Sequence, residues 1–168
     1  MQLVHYSKER VDRVESREQE KDKPNHKPKG FWVSDEECEV NWRTWCEGER
    51  FQLENLAVRH FVRLRDDARI LVIDSAKGLD RFTRNFAVEH PALREFRGSD
   101  LDDSFYVDWH RVAGLYQGVI ITPYQQSRRY SLSWYYTWDC ASGCIWDASA
   151  IESLVVDAAP RAIAEVAS

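Results

Sequence analysis

Nothing in the 168 residues approaches the roughly 18 consecutive apolar positions that a membrane-spanning helix requires. The opening Met1-Gln2-Leu3-Val4-His5 lacks the basic start and long apolar middle of a signal peptide, so a cytoplasmic location is expected. Positive charge is also short: 23 Lys and Arg against 28 Asp and Glu leave a net charge of −5. That balance argues against a broad phosphate-binding face, though not against a local one. Cys38, Cys46, Cys140 and Cys144 form no CxxC pair, and no HxxxH accompanies them. A zinc site is thus only weakly signalled, and free, mostly buried thiols are expected. No segment repeats.

What the chain has is tryptophan, seven in all, with 43% hydrophobic residues. This length suits one domain with a core that needs no disulfide staples. The densest aromatic stretch is Trp134-Tyr135-Tyr136-Thr137-Trp138-Asp139-Cys140. Two readings stand open for it: plain core, or the wall of a pocket for a flat ligand. If the stretch is extended, Tyr135 and Tyr136 point to opposite faces.

In chain order, Leu3–Ser7 reads as a strand, and residues 8–29 as a polar, solvated loop able to fold over a ligand. Gly30–Ser34 reads as a second strand. Ser34 with Glu37 has the spacing of a capping box, which predicts a helix that Gly48 ends. Trp42 and Trp45 share a face of it, as core or as pocket wall. Val58–Leu64 and Ala68–Ser75 read as strands, the second deeply buried, with Asp66-Asp67 turning between them. Ser75 then caps a helix bearing Leu79, Phe82 and Phe86, which His90-Pro91 ends. Residues 91–104 read as a polar connection, Tyr106–Tyr116 as an amphipathic helix, and Val119–Thr122 and Ser142–Trp146 as buried strands. Asp147 caps a last helix over 148–156, and 157–168 reads as a helical tail broken at Pro160. Strands and helices mix without strict alternation, which gives an α+β class. The expectation is one domain over 1–156, with mixed and antiparallel sheets and several flanking helices.

The pieces Leu3-Val4-His5-Tyr6-Ser7, Gly30-Phe31-Trp32-Val33-Ser34, Ala68-Arg69-Ile70-Leu71-Val72-Ile73-Asp74-Ser75, Trp109 to Ile120, and Cys144-Ile145-Trp146-Asp147-Ala148-Ser149-Ala150-Ile151 occur in this order over nearly the whole chain. Together they resemble the ADP-ribosyltransferase superfamily in its bacterial and phage forms. The resemblance implies an NAD-dependent enzyme that cleaves the nicotinamide–ribose bond and passes ADP-ribose to a macromolecular acceptor, protein or nucleic acid. It places His5 on the nicotinamide-side ribose and Trp32 against the nicotinamide, with Tyr6, Ser7, Gly30, Ser34 and Trp42 completing the NAD site. Where the family carries its catalytic glutamate, this chain has Ser142. A serine cannot carry the negative charge that stabilises an oxocarbenium-like centre. Asp139, three residues earlier, is the candidate substitute, so His5, Asp139 and Ser142 form the expected catalytic set. Two other readings are a catalytically silent relative that binds a nucleotide or a partner protein, and an unrelated α+β domain whose aromatics are core. Asp139 as a turn cap and Asp147 as an N-cap are the plain structural roles.

Overall fold

A computed structural model describes residues 1–89 and 105–157. The elements are β1 (Leu3–Ser7), β2 (Phe31–Asp35), α1 (Trp42–Glu49), β3 (Val58–Leu64), β4 (Ile70–Ile73), α2 (Ala76–Phe86), β5 (Ala87–Glu89), β6 (Phe105–Val107), α3 (Trp109–Ala113), β7 (Gly118–Ile121), β8 (Ser142–Ile145) and β9 (Ile151–Val156). The class is α+β. Seven strands make one sheet in the order β4-β7-β8-β2-β1-β3-β9, and β5 pairs with β6 apart from it. Only β4 and β7 run parallel; the other pairs of the large sheet are antiparallel. Three helices are present among the described residues, all short, rather than several flanking ones.

The continuous apolar run Val119-Ile120-Ile121 is what a strand covered on both faces requires. Val119 and Ile121 enter a large core with Leu79, Phe82, Trp109 and Trp134, while Ile120 enters a smaller one with Leu3, Val33 and Val62. Gly143 lies beside Ile120 in the neighbouring strand. A Cβ there would stand 2.5 Å from the Val119 carbonyl oxygen and 3.0 Å from the Ile120 Cα, so β7 and β8 meet closely only because this residue has no side chain. The aromatic stretch is mostly core: Trp134, Tyr135 and Trp138 are buried, and only Tyr136 turns outward. It runs through a 3-10 turn, not an extended strand.

Several expectations need correction. Ser34 starts no helix; it lies inside β2, and Asp35 spends its carboxylate on the Gln2 and Glu37 N–H groups and the Thr122 hydroxyl. The helix begins at Trp42, where Asn41 and Thr44 form the capping box. β4 is an edge strand, and Val72 is 48% exposed. The expected helix over 106–116 divides into β6 and the short α3, because Asp108 caps at Arg111 N–H and β6 pairs with β5. The expected last helix is one 3-10 turn followed by β9, whose residues pair with β3. His90-Pro91, the 91–104 connection and residues 158–168 of the tail lie outside the described residues.

Residues 8–29 are not a loose loop. Hydrogen bonds fasten them where apolar burial cannot. Val11 N–H donates to His60 Nε2 at 2.9 Å, and Arg17 N–H to the Trp146 carbonyl at 2.7 Å. Buried Gln19 bonds both Lys29 N–H (3.0 Å) and Lys29 C=O (2.6 Å), and Asn25 exchanges two backbone bonds with Val107.

Candidate functional site

The site begins where two neighbouring strands part. β1 pairs with β2 only at Leu3–Asp35 and Val4–Ser34. Beyond that, β1 continues with β3 through Ser7, and β2 with β8 back to Phe31. A ring replaces the missing ladder: His5 Nδ1–H donates to the Trp32 carbonyl at 2.7 Å. That acceptor assigns the proton to Nδ1. Burial pulls the His5 pKa below its ordinary value, outweighing the Trp32 bond that raises it, so the ring is neutral and Nε2 is an acceptor.

A cavity of about 290 Å³ opens beside this gap. His5, Tyr6, Trp32, Ser34, Trp42, Asp139 and Ser142 all line it. Ser7 does not, and its hydroxyl donates to the Glu9 carbonyl. Gly30 lines a separate recess with Arg13 and Arg17. Its place is set by packing, since a Cβ would come 2.6 Å from the Ile145 carbonyl oxygen.

Each wall has a local cause. Trp32 stands edge-on to buried Trp138, centroids 5.0 Å apart, which fixes its plane. Trp42 stacks on Trp45 at 5.2 Å on the first turn of α1. Ser34 ties the two walls together: its hydroxyl accepts Trp42 N–H at 2.8 Å and donates to the Ala141 carbonyl at 3.1 Å. Tyr6 donates to both Glu36 oxygens at 2.9 Å, and Glu36 faces Arg43 (3.4 Å) and Arg59 (3.6 Å). Arg59 also pairs with Asp157. Burial, then the Glu36 bond, hold the Tyr6 proton well above the usual phenol range, so Tyr6 is a neutral donor.

Asp139, Cys140 and Ser142 also line the cavity, Ser142 as the cross-strand neighbour of Ser34. Asp139 Oδ1 takes Arg129 at 3.0 Å, and Arg129 also donates to the Tyr124 hydroxyl. Burial pushes the Cys140 thiol up to about 12, which keeps it protonated and unreactive at neutral pH. Ser142 donates to the Cys140 carbonyl at 3.1 Å. Among the wall residues that sequence reasoning passed over, Asn55 included, is Lys27, whose Nζ stands 5.2 Å from the Trp32 ring centroid. It lies in the polar 8–29 stretch, where one more lysine carries no signal of its own.

The four cysteines are free, and Cys46, Cys140 and Cys144 are buried, as expected. Among the described residues no group of three or more His, Cys, Asp or Glu is placed to hold a metal, and no helix is long and apolar enough to cross a membrane. Comparison with protein-family models, curated proteins and solved structures finds no match to this chain.

Proposed function

We propose that the chain is an NAD-dependent ADP-ribosyltransferase-like protein that cleaves the nicotinamide–ribose bond and transfers ADP-ribose to a macromolecular acceptor. One observation carries the reading. Seven residues that the resemblance assigns to the site, from His5 to Ser142, line a single cavity although 137 positions separate the ends of the set. At about 290 Å³ it lies at the small end of ligand sites. It suits the nicotinamide–ribose end of a dinucleotide, with the remainder lying outside.

NAD supplies an ADP-ribosyl group whose cationic nicotinamide is a good leaving group. The residues here bind and orient it. Trp32 and Trp42 give flat aromatic walls, and Trp32 already carries a cation near its face. Neutral His5 offers Nε2 to a ribose hydroxyl. Asp139 is the one carboxylate among the described cavity residues, so it falls to Asp139 to face positive charge developing on the sugar. Arg129 fixes its Oδ1. Ser142 and Ser34 are polar wall, not charge.

The alternative, a catalytically silent nucleotide-binding relative, is favoured by Ser142 at the family's glutamate position and by the Arg129–Asp139 pair. Titration with NAD separates the two, with tryptophan fluorescence and nicotinamide release read in one sample. The transferase predicts quenching with release. It also predicts that Asp139→Asn lowers release by roughly a hundredfold or more while quenching persists. Quenching without release selects the silent relative. Neither signal removes both.

A further inference from the structure

The ionisable groups at the cavity compensate one another, with one exception. Asp139 is matched by Arg129 at 3.0 Å. Tyr6 is neutral, and its partner Glu36 is matched by Arg43 and Arg59, with Asp157 balancing the second arginine. His5 is neutral and Cys140 protonated. Lys27 remains. Its ammonium makes no hydrogen bond or ion pair among the described residues and stands 5.2 Å from the Trp32 centroid. Among the described residues Lys27 thus has no ion pair of its own, and the charge that reaches it, that of Asp139, is already engaged by Arg129.

The placement of Lys27 is not a matter of side-chain chance. Two residues before it, Asn25 is locked to Val107 by backbone bonds of 3.1 and 3.0 Å. His26 stacks on Tyr106 with centroids 4.3 Å apart. Just after it, Pro28 is buried, with Cys144 Sγ on its carbonyl, and Lys29 is held by Gln19 at both its N–H and C=O. The backbone on both sides is fixed, so the Lys27 stem leaves the chain at a fixed point beside Trp32. Burial depresses its pKa and outweighs the charge of Asp139, which raises it.

We propose that Lys27 is the phosphate-recognising residue of this cavity, so that the ligand it selects bears a phosphate beside a flat ring. An ammonium has three donors and no acceptor, and phosphate oxygens are among its strong, charge-assisted partners. This deepens the nucleotide reading above and rests on it for the ring, but not for the phosphate.

The experiment is calorimetric titration of three probes into wild type, Lys27→Met and Lys27→Arg. The probes are nicotinamide riboside, which has ring and sugar but no phosphate, nicotinamide mononucleotide, which adds one phosphate, and inorganic pyrophosphate. Methionine keeps an unbranched stem against Trp32; circular dichroism confirms the fold, and arginine restores the charge. The expected result is a loss of roughly tenfold to hundredfold for the mononucleotide and for pyrophosphate in Lys27→Met. Lys27→Arg recovers most of it, and the riboside is unchanged in all three proteins. Equal losses for riboside and mononucleotide overturn the proposal, and so does tighter binding of all probes in Lys27→Met, which would make Lys27 an internal occupant of the Trp32 face. Pyrophosphate binding that depends on Lys27 without any riboside binding upholds Lys27 and removes the NAD reading. Riboside binding with phosphate probes indifferent to Lys27 does the reverse. No binding of any probe removes both.

Discussion

Trp134 and Trp138 offer a controlled comparison. Both are essentially inaccessible, at 0% and 1% exposure, and their rings meet edge-on with centroids 6.3 Å apart. Their N–H groups differ. Trp134 Nε1 donates to the Thr83 hydroxyl at 3.0 Å, whereas Trp138 Nε1 is buried with no partner among the described residues. Replacing either by phenylalanine removes similar apolar volume, so the packing loss largely cancels between the two variants. The polar terms do not cancel. Trp134→Phe forfeits a hydrogen bond of about 1 kcal/mol, while Trp138→Phe abolishes an unsatisfied donor whose burial costs about 1–3 kcal/mol. Trp134→Phe is therefore expected to be less stable than Trp138→Phe by about 2–4 kcal/mol. For a chain of this size each kcal/mol moves Tm by roughly 2–4 °C. Urea unfolding followed by far-ultraviolet circular dichroism measures the difference without relying on the fluorescence of the substituted residue. Equal midpoints at equal m-values, or a less stable Trp138→Phe, would refute the reasoning.

Two further outcomes are expected. Gly143→Ala should destabilise by at least about 1–3 kcal/mol, because its Cβ meets β7 backbone that cannot step aside; a midpoint within experimental error of wild type would contradict the close approach. Burial lowers the pKa of His5, so the unfolded chain takes up this proton first as pH falls. The stabilisation from neutral His5 is then complete above pH 6.5 and is lost as pH falls below it through the lower folded value. Between pH 7.5 and 5, wild type should lose more stability than His5→Asn, whose amide can still donate to Trp32, and parallel losses would exclude the assignment.

The parts of the fold legible in the sequence are those written in local apolar pattern. The helix α2 follows from Ser75 at its cap and Leu79, Phe82 and Phe86 along one face, all buried. β7 and β8 follow from unbroken small and apolar runs. Where two patterns compete, the sequence misleads. Ile151, Leu154 and Val155 fit a helical stripe, but the segment pairs along β3, and cross-strand partners decide it. Ser34 and Glu37 match a capping box that tertiary pairing in β2 forbids, while the actual box at Asn41 and Thr44 lies seven residues on. β4 has the composition of a central strand, but edge position is a property of topology. Among the residues that line the cavity, His5, Trp32 and Asp139 were named by the resemblance. Lys27 was not, since its position depends on Asn25, Pro28 and Gln19 contacts that hydropathy does not encode.

The narrow join between β1 and β2 also bears on the order in which the protein can assemble during synthesis. Only two residue pairs link the strands nearest the N-terminus. Each then depends on partners far downstream: β2 on β8, more than a hundred residues later, and β3, the other neighbour of β1, on β9. Neither half of the sheet closes while the chain is short, so folding is dominated by distant pairings and is expected to be slow. A nascent chain that stops before Asp139 has Trp32 and His5 but lacks Asp139, Cys140 and Ser142 of the cavity lining. The full set of lining residues exists only once the chain has been made through Ser142.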